Sequence, residues 1–236
     1  MRLSILGVMV RGRVLRAVGA ATVLFGLLPA HGAYATTACQ GQSFQFDGSY
    51  VSANEYGASA VISSGAGALC GTAWSRSEDW VMLAGQGSTT RYAQSGQVRN
   101  AGTNSPVYFA EYNNDFGKAV YKAIGNTDTN SHSYYEVYNF APGNVTMWKD
   151  GTSILTTNFD PIIAWGGMVP EFFGETHDSG DDMPGGFFIP AQYSSMSMVT
   201  SRTSGWVSTT QLTSRNTNSA RYAEGVGTSS MNIWTN

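Results

Sequence analysis

Short runs with a two-residue hydrophobic period recur along this chain, and nowhere does a 3.6-residue period persist for a dozen residues. A chain patterned this way buries its apolar side chains by pairing strands and packing one face of the resulting sheet. Alternation, punctuated by turn residues, predicts strands at 43–46, 57–62, 80–84, 91–99, 107–112, 118–124, 134–140, 144–149, 152–158, 162–165, 186–189 and 196–200. Asp150-Gly151 between two alternating runs is a type I′ hairpin signal, because both central positions of that turn need positive φ. Ala141-Pro142-Gly143 marks another turn. Many short strands with no helix between them imply an all-β antiparallel sandwich. Residues 200–236, rich in Ser, Thr and Asn, are expected to form an edge or a loop-rich tail docked through Trp206 and Trp234. No internal repeat or linker divides the chain, so residues 36–236 are expected to fold as one domain.

Residues 1–35 read as a secretory signal peptide. Arg2, Arg11, Arg13 and Arg16 form a basic start, residues 17–30 an apolar run, and Ala33-Tyr34-Ala35 a small-residue cleavage site that would leave Thr36 as the new N-terminus. The apolar run is shorter than the roughly 20 residues a membrane span needs. The working molecule is therefore expected outside the cell, with no membrane contact after cleavage. In that setting Cys39 and Cys70 are expected to form one disulfide, two free thiols being the alternative.

Beyond the leader, nine Lys and Arg stand against sixteen Asp and Glu, a formal charge of −7. No basic stripe remains to hold a phosphate backbone, which excludes nucleic acid as the expected partner. There is no G-x-S-x-G elbow, H-E-x-x-H pair, P-loop or dinucleotide glycine fingerprint. With only His132 and His177 left after cleavage, acid–base work falls more naturally to carboxylates. Two segments carry candidate chemistry. Gln94 sits in a strand run beside Gly96, where backbone can approach a ligand. Residues 173–186 hold the densest group of ionisable side chains, including Glu175, His177, Asp178, Asp181 and Asp182. The three aspartates pose two readings, a calcium site or a solvated acidic turn.

Six short motifs occur in a distinctive order along the middle of the chain. They are Trp80-Val81-Met82-Leu83-Ala84, Ala93-Gln94-Ser95-Gly96, Val107-Tyr108-Phe109-Ala110-Glu111-Tyr112, Ile163-Ala164-Trp165-Gly166-Gly167, Gly174-Glu175 and Met183-Pro184-Gly185. Over residues 80–186 the chain resembles the neprosin group of secreted glutamic peptidases. The Gln-Ser-Gly and the later Glu also resemble the fungal-type eqolisins, which use a Gln–Glu pair on a concanavalin-like (jelly-roll) sandwich. The resemblance implies that sandwich here, with a substrate groove on its concave sheet. Gln94 matches the eqolisin glutamine and stands where neprosins carry their first glutamate. Glu175 matches the second catalytic glutamate. A competing alignment sets Gly166-Gly167-Met168 there instead, with Met in place of the acid.

The resemblance implies a secreted endopeptidase acting on polypeptide as a monomer, without metal or cofactor. Gln94 would polarise the scissile carbonyl and hold water, and Glu175 would act as base and then acid. A reference carboxyl pKa of about 4.3 sets the expected optimum in acid. Trp80, Glu111, Trp165 and His177 are candidates for the groove. Two other readings stand beside this one. The first is a non-catalytic binder of carbohydrate or cell surface, and the second a glycoside hydrolase using Glu111 and Glu175, which needs acids about 5–10 Å apart.

Overall fold

A computed structural model of the chain describes residues 38–63, 67–86, 88, 90–103, 105–114, 119–186 and 189–236. The expected leader at 1–35, the cleavage point before Thr36 and the start of the strand expected at 118 lie outside them. Two sheets face each other. The first runs β14 (Thr213–Asn216), β1 (Gln42–Tyr50), β10 (Met168–Asp178), β3 (Arg76–Gly85), β4 (Arg91–Asn100), β5 (Val107–Asn114) and β6 (Val120–Asn126). The second runs β15 (Tyr222–Val226), β16 (Met231–Thr235), β11 (Gly185–Gly186), β12 (Ile189–Val199), β2 (Gly57–Ile62), β7 (His132–Asn139), β8 (Asn144–Lys149) and β9 (Thr152–Thr156), with β13 (Trp206–Ser208) paired to β12. The pairings are antiparallel apart from one parallel contact between β11 and β16. This is the all-β sandwich that the alternation predicts.

Period 2 assigns each side chain to a face. On β3 and β4, Val81, Leu83 and Ala93 point into the space between the sheets, where they join Tyr134, Met147, Tyr193 and Ile233 in the main core. Their neighbours Trp80, Met82 and Val98 point the other way and pack with Phe109 and Phe173 on the outer face of the first sheet. Around β3 that sheet is thus apolar on both faces, which is why Trp80 to Ala84 read as a continuous hydrophobic run.

The interior also holds a polar row. Asp47, Gly174, Asp79 and Gln97 are successive register partners across β1, β10, β3 and β4. Opposite this sheet, Glu136 of β7 accepts a 2.5 Å hydrogen bond from Ser95 Oγ. Asp47, Asp79 and Glu136 are all at most 2% exposed.

Two elements differ from the sequence reading. Residues 162–165, expected as a strand, belong to the short helix α1 (Pro161–Trp165). Asp160 caps it, accepting from the Ile162 and Ile163 amides, Pro161 supplies a helical φ at the first turn, and Gly166 ends it at φ 76°. Four apolar residues cannot by themselves distinguish a helical turn from a buried strand. The long strand β10 escapes the alternation pattern, because Pro170 and Gly174 interrupt it. Of the two readings of the polar tail, edge or loop-rich segment, the edge holds: it forms β13 to β16, with β14 at the edge of the first sheet beside β1 and β15 at the edge of the second.

Cys39 and Cys70 are joined, with Cα atoms 5.2 Å apart. The aspartates at and after the end of β10 clasp backbone around that bridge. Asp178 accepts from the amides of Gln40, Gly41 and Gly180, and Asp181 from those of Cys70 and Arg76. Asp182 pairs with Arg221 at 2.6 Å. These partners make the three carboxylates structural anchors, Asp178 for the lead into β1, Asp181 for the lead into β3 and Asp182 for Arg221 ahead of β15. Among the described residues no helix is long and apolar enough to cross a membrane.

Candidate functional site

The outer face of the first sheet is hollowed into a cleft. Its floor is set by register. One row across the strands reads Glu171, Met82, Gln94, Glu111 and Tyr121. The next reads Phe173, Trp80, Gly96 and Phe109. A third begins Phe46, Glu175, Glu78 and Val98. Phe44, Phe46, Trp80, Tyr92 and Phe173 supply apolar walls, while Arg76, Glu78, Gln94, Glu111, Glu171, Glu175, His177 and Arg215 supply charge and hydrogen-bonding groups. Gly96 brings β4 against β3 where a side chain would meet the Asp79 carbonyl and Trp80 Cα, so the floor between Trp80 and Phe109 stays open.

Gln94 and Glu171 stand in the same row, one strand apart on either side of Met82. Two strand spacings place their Cα atoms about 10 Å apart, close enough for both side chains to reach one group bound over Met82. Burial pushes the Glu171 carboxyl up to about 7, with Arg215 pulling down and Glu175 adding to the rise. The residue that the family likeness selects, Glu175, faces the same cleft but lies two rows away, about 13 Å along the strand direction from the Gln94 row.

Glu175 belongs to a different group. Its Oε2 accepts from Trp80 Nε1 at 3.1 Å, and its Oε1 is 3.0 Å from His177 Nε2. Glu78 is its register partner and lies 3.4 Å from the same nitrogen, with Arg76 bonded to its other oxygen at 2.7 Å. Burial and the adjacent Glu78 charge push the Glu175 carboxyl up, against the pull of His177. Burial also opposes charge on Glu78, yet Arg76 and His177 outweigh it and hold that carboxyl low. Burial works against the His177 proton as well, but hydrogen bonds to Glu175 and Glu78 raise it to about 9.

The other candidates divide. Trp80 and His177 line the cleft. Glu111 lines it too, but its oxygens are engaged by Tyr92 Oη at 2.9 Å and by Arg76 at 3.5 Å. Trp165 is 5% exposed in the main core, packed on Phe159, and takes no part in the groove. His132, the other histidine, bridges Tyr108, Asp128 and Asp150 at the other sheet's rim. Sequence reasoning passes over Arg76, Glu78, Tyr92, Glu171 and Arg215. Two of these carry a usable signal. Glu171 lies four residues before Glu175 and Glu78 two before Trp80, so a continuous strand puts each on the same face.

No family model matches the chain, and no curated protein matches its sequence. Similarity emerges in three dimensions. A crystal structure of scytalido-glutamic peptidase with a peptide-based transition-state analogue superposes with a TM-score of 0.55 at 13% identity, covering 84% of this chain and 100% of that one. The same peptidase with a transition-state analogue inhibitor gives 0.53 at 10% identity and the same coverage. At such identity the likeness defines the fold, a β-sandwich of the kind glutamic peptidases use.

Proposed function

We propose that this protein is a secreted glutamic-type endopeptidase whose cleft binds an extended polypeptide and hydrolyses it with Gln94 and Glu171. The observation that carries the reading is the row Glu171–Met82–Gln94, which sets an acid and an amide on either side of one apolar floor residue. It replaces Glu175 as the partner of Gln94 for a physical reason, since Glu175 is farther away and already bound by Trp80 and His177. The peptidase structures of the same fold support the reaction class.

The chemistry needs no metal. Ionised Glu171 takes a proton from the attacking water. The Gln94 amide N–H stabilises the oxyanion forming on the scissile carbonyl, and its own oxygen helps hold the water. Glu171 then returns the proton to the leaving amine. Because the Glu171 carboxyl lies near 7 rather than near 4, the basic form accumulates only as pH approaches neutrality. The expected rate therefore rises with pH through about 7 and levels off above neutrality, instead of peaking in strong acid. Export, implied by residues 1–35, agrees with the disulfide.

Digestion of an unfolded protein substrate across pH 3 to 8, with and without chelator, tests the proposal. Glu171→Gln and Gln94→Ala are expected to lose about 100-fold or more in kcat/KM, Glu175→Gln about 10-fold or less, and chelator to cause no loss. Full activity in Glu171→Gln, or loss on chelation, overturns it. A sugar hydrolase would use two free acids, and Glu111, the second acid of the row, is tied to Tyr92 and Arg76. Release of reducing ends from a polysaccharide, with no peptide cleavage, would reverse this preference. Binding of polysaccharide without any hydrolysis would favour a binding module.

A further inference from the structure

At the end of the cleft beyond Trp80, three side chains converge on one point. Glu78 and Glu175 sit opposite each other on β3 and β10, and His177 follows two residues on from Glu175, on the same face. Their ligand atoms all lie within 4.8 Å of one another. Both carboxylates are buried, at 2% and 9% exposure, and two buried carboxylates side by side repel unless a cation lies between them, the place that His177 Nε2 takes here. Arg76 neutralises Glu78 from behind and also reaches Glu111, which leaves negative charge on the side facing His177.

The ligands are also held from outside. Trp80 Nε1 fixes the outer oxygen of Glu175, Arg76 Nη2 fixes that of Glu78, and the Phe44 ring packs on the His177 imidazole at 4.5 Å. Metal sites are built this way, with each ligand turned and locked by a further group. The imidazole-to-carboxylate spacings are also close to those of zinc ligands. Zinc bonds oxygen and nitrogen at about 2.0–2.1 Å, which places neighbouring ligands of a tetrahedron about 3.3–3.4 Å apart. His177 Nε2 stands 3.0 Å from Glu175 Oε1 and 3.4 Å from Glu78 Oε1.

We propose that Glu78, Glu175 and His177 form a site for a divalent transition ion of the zinc type, with its fourth position open to the cleft. The ion replaces the proton that His177 shares with the two carboxylates, and that proton leaves to solvent. One imidazole with two carboxylates suits zinc or cobalt better than calcium or magnesium, which take larger all-oxygen shells. The ion has no part in hydrolysis by Gln94 and Glu171. It fills the end of the cleft into which a substrate chain would extend, so it acts as an inhibitor of the enzyme. Its binding does not depend on whether the cleft is catalytic.

The test uses the full chain freed of metal by dialysis against chelator, with Co²⁺ as probe near neutral pH. The expected result is a saturable, intense visible absorption of tetrahedral cobalt at about one ion per chain, abolished by competing Zn²⁺. His177→Ala should weaken binding at least about 10-fold, in line with loss of a direct ligand. His177→Cys should keep the ion and add a sulfur-to-cobalt charge-transfer band, which identifies position 177 as a ligand even if the alanine variant misfolds. A weak octahedral spectrum in the parent protein, an unchanged spectrum in His177→Ala, or no new band in His177→Cys each overturns the proposal.

Discussion

Replacing Asp47 by Asn should reverse its effect on stability between acid and neutral pH. The Asp47 side chain is fully buried, and neither carboxyl oxygen has a hydrogen-bond partner among the described residues. Burial first, and Glu224 nearby second, push its carboxyl up to about 8 from an ordinary value of 3.8. The sign comes from linkage. The folded state keeps the proton up to about pH 8, whereas the unfolded chain releases it above about pH 4. The stability associated with this group is therefore complete below pH 4 and is lost as pH rises toward 8. At pH 7 the loss spans about three pH units at 1.36 kcal/mol each, or about 4 kcal/mol. Asn cannot ionise and removes that dependence, but it buries a second N–H without a partner, at a pH-independent cost of about 1–3 kcal/mol. Urea titrations of parent and Asp47→Asn at pH 4 and pH 7 should cross, with the variant weaker in acid and stronger at neutrality. Between those values the parent's stability should fall more steeply by about 1.4 kcal/mol per pH unit. Curves that stay parallel would refute the reasoning, since Asp47 would then bind no proton on folding. Asp79 and Glu136, which burial also drives well upward, remain in both proteins and steepen both curves alike.

Three further outcomes are expected. Reducing the Cys39–Cys70 bridge, which closes a 31-residue separation, should cost about 3–4 kcal/mol and lower the urea midpoint without altering the sandwich's circular dichroism. Gly96→Ala places a methyl group against the Asp79 carbonyl and should destabilise by at least about 2 kcal/mol, so an unchanged melting temperature would contradict the close strand approach described for the cleft floor. Expression with export should yield a mature protein beginning at Thr36, which intact mass and N-terminal sequencing will reveal, and a retained leader would remove the basis for secretion.

The legibility of this molecule from its sequence varies with the range of the interactions involved. Period-2 alternation in runs such as 144–149, where Val145 and Met147 enter the core, depends only on which side chains point inward, so the sandwich class can be read locally. The same holds for the Asp150-Gly151 turn, where φ at Asp150 is +49° and at Gly151 +76°. Helix α1 reads as a strand because its deciding contacts come from Asp160 and Gly166, just outside the apolar run. Gln94 stands out because it opens the Gln-Ser-Gly run that resembles the eqolisin motif, beside Gly96. The acid proposed as its partner does not, because Glu171 and Glu175 share one face of β10 and are locally equivalent.

The sequence alone determined the alternation, the turns and the pool of side chains available to each face, all consequences of backbone geometry over a few residues. Which of those side chains meet was decided only by tertiary structure. Strand order brings β10 to the far side of β3 from β4, and register then sets Glu171 level with Gln94 while it hands Glu175 to Glu78, Trp80 and His177. Register is a property of pairs of strands far apart in the chain, chosen by how the whole core packs, and no single segment encodes it.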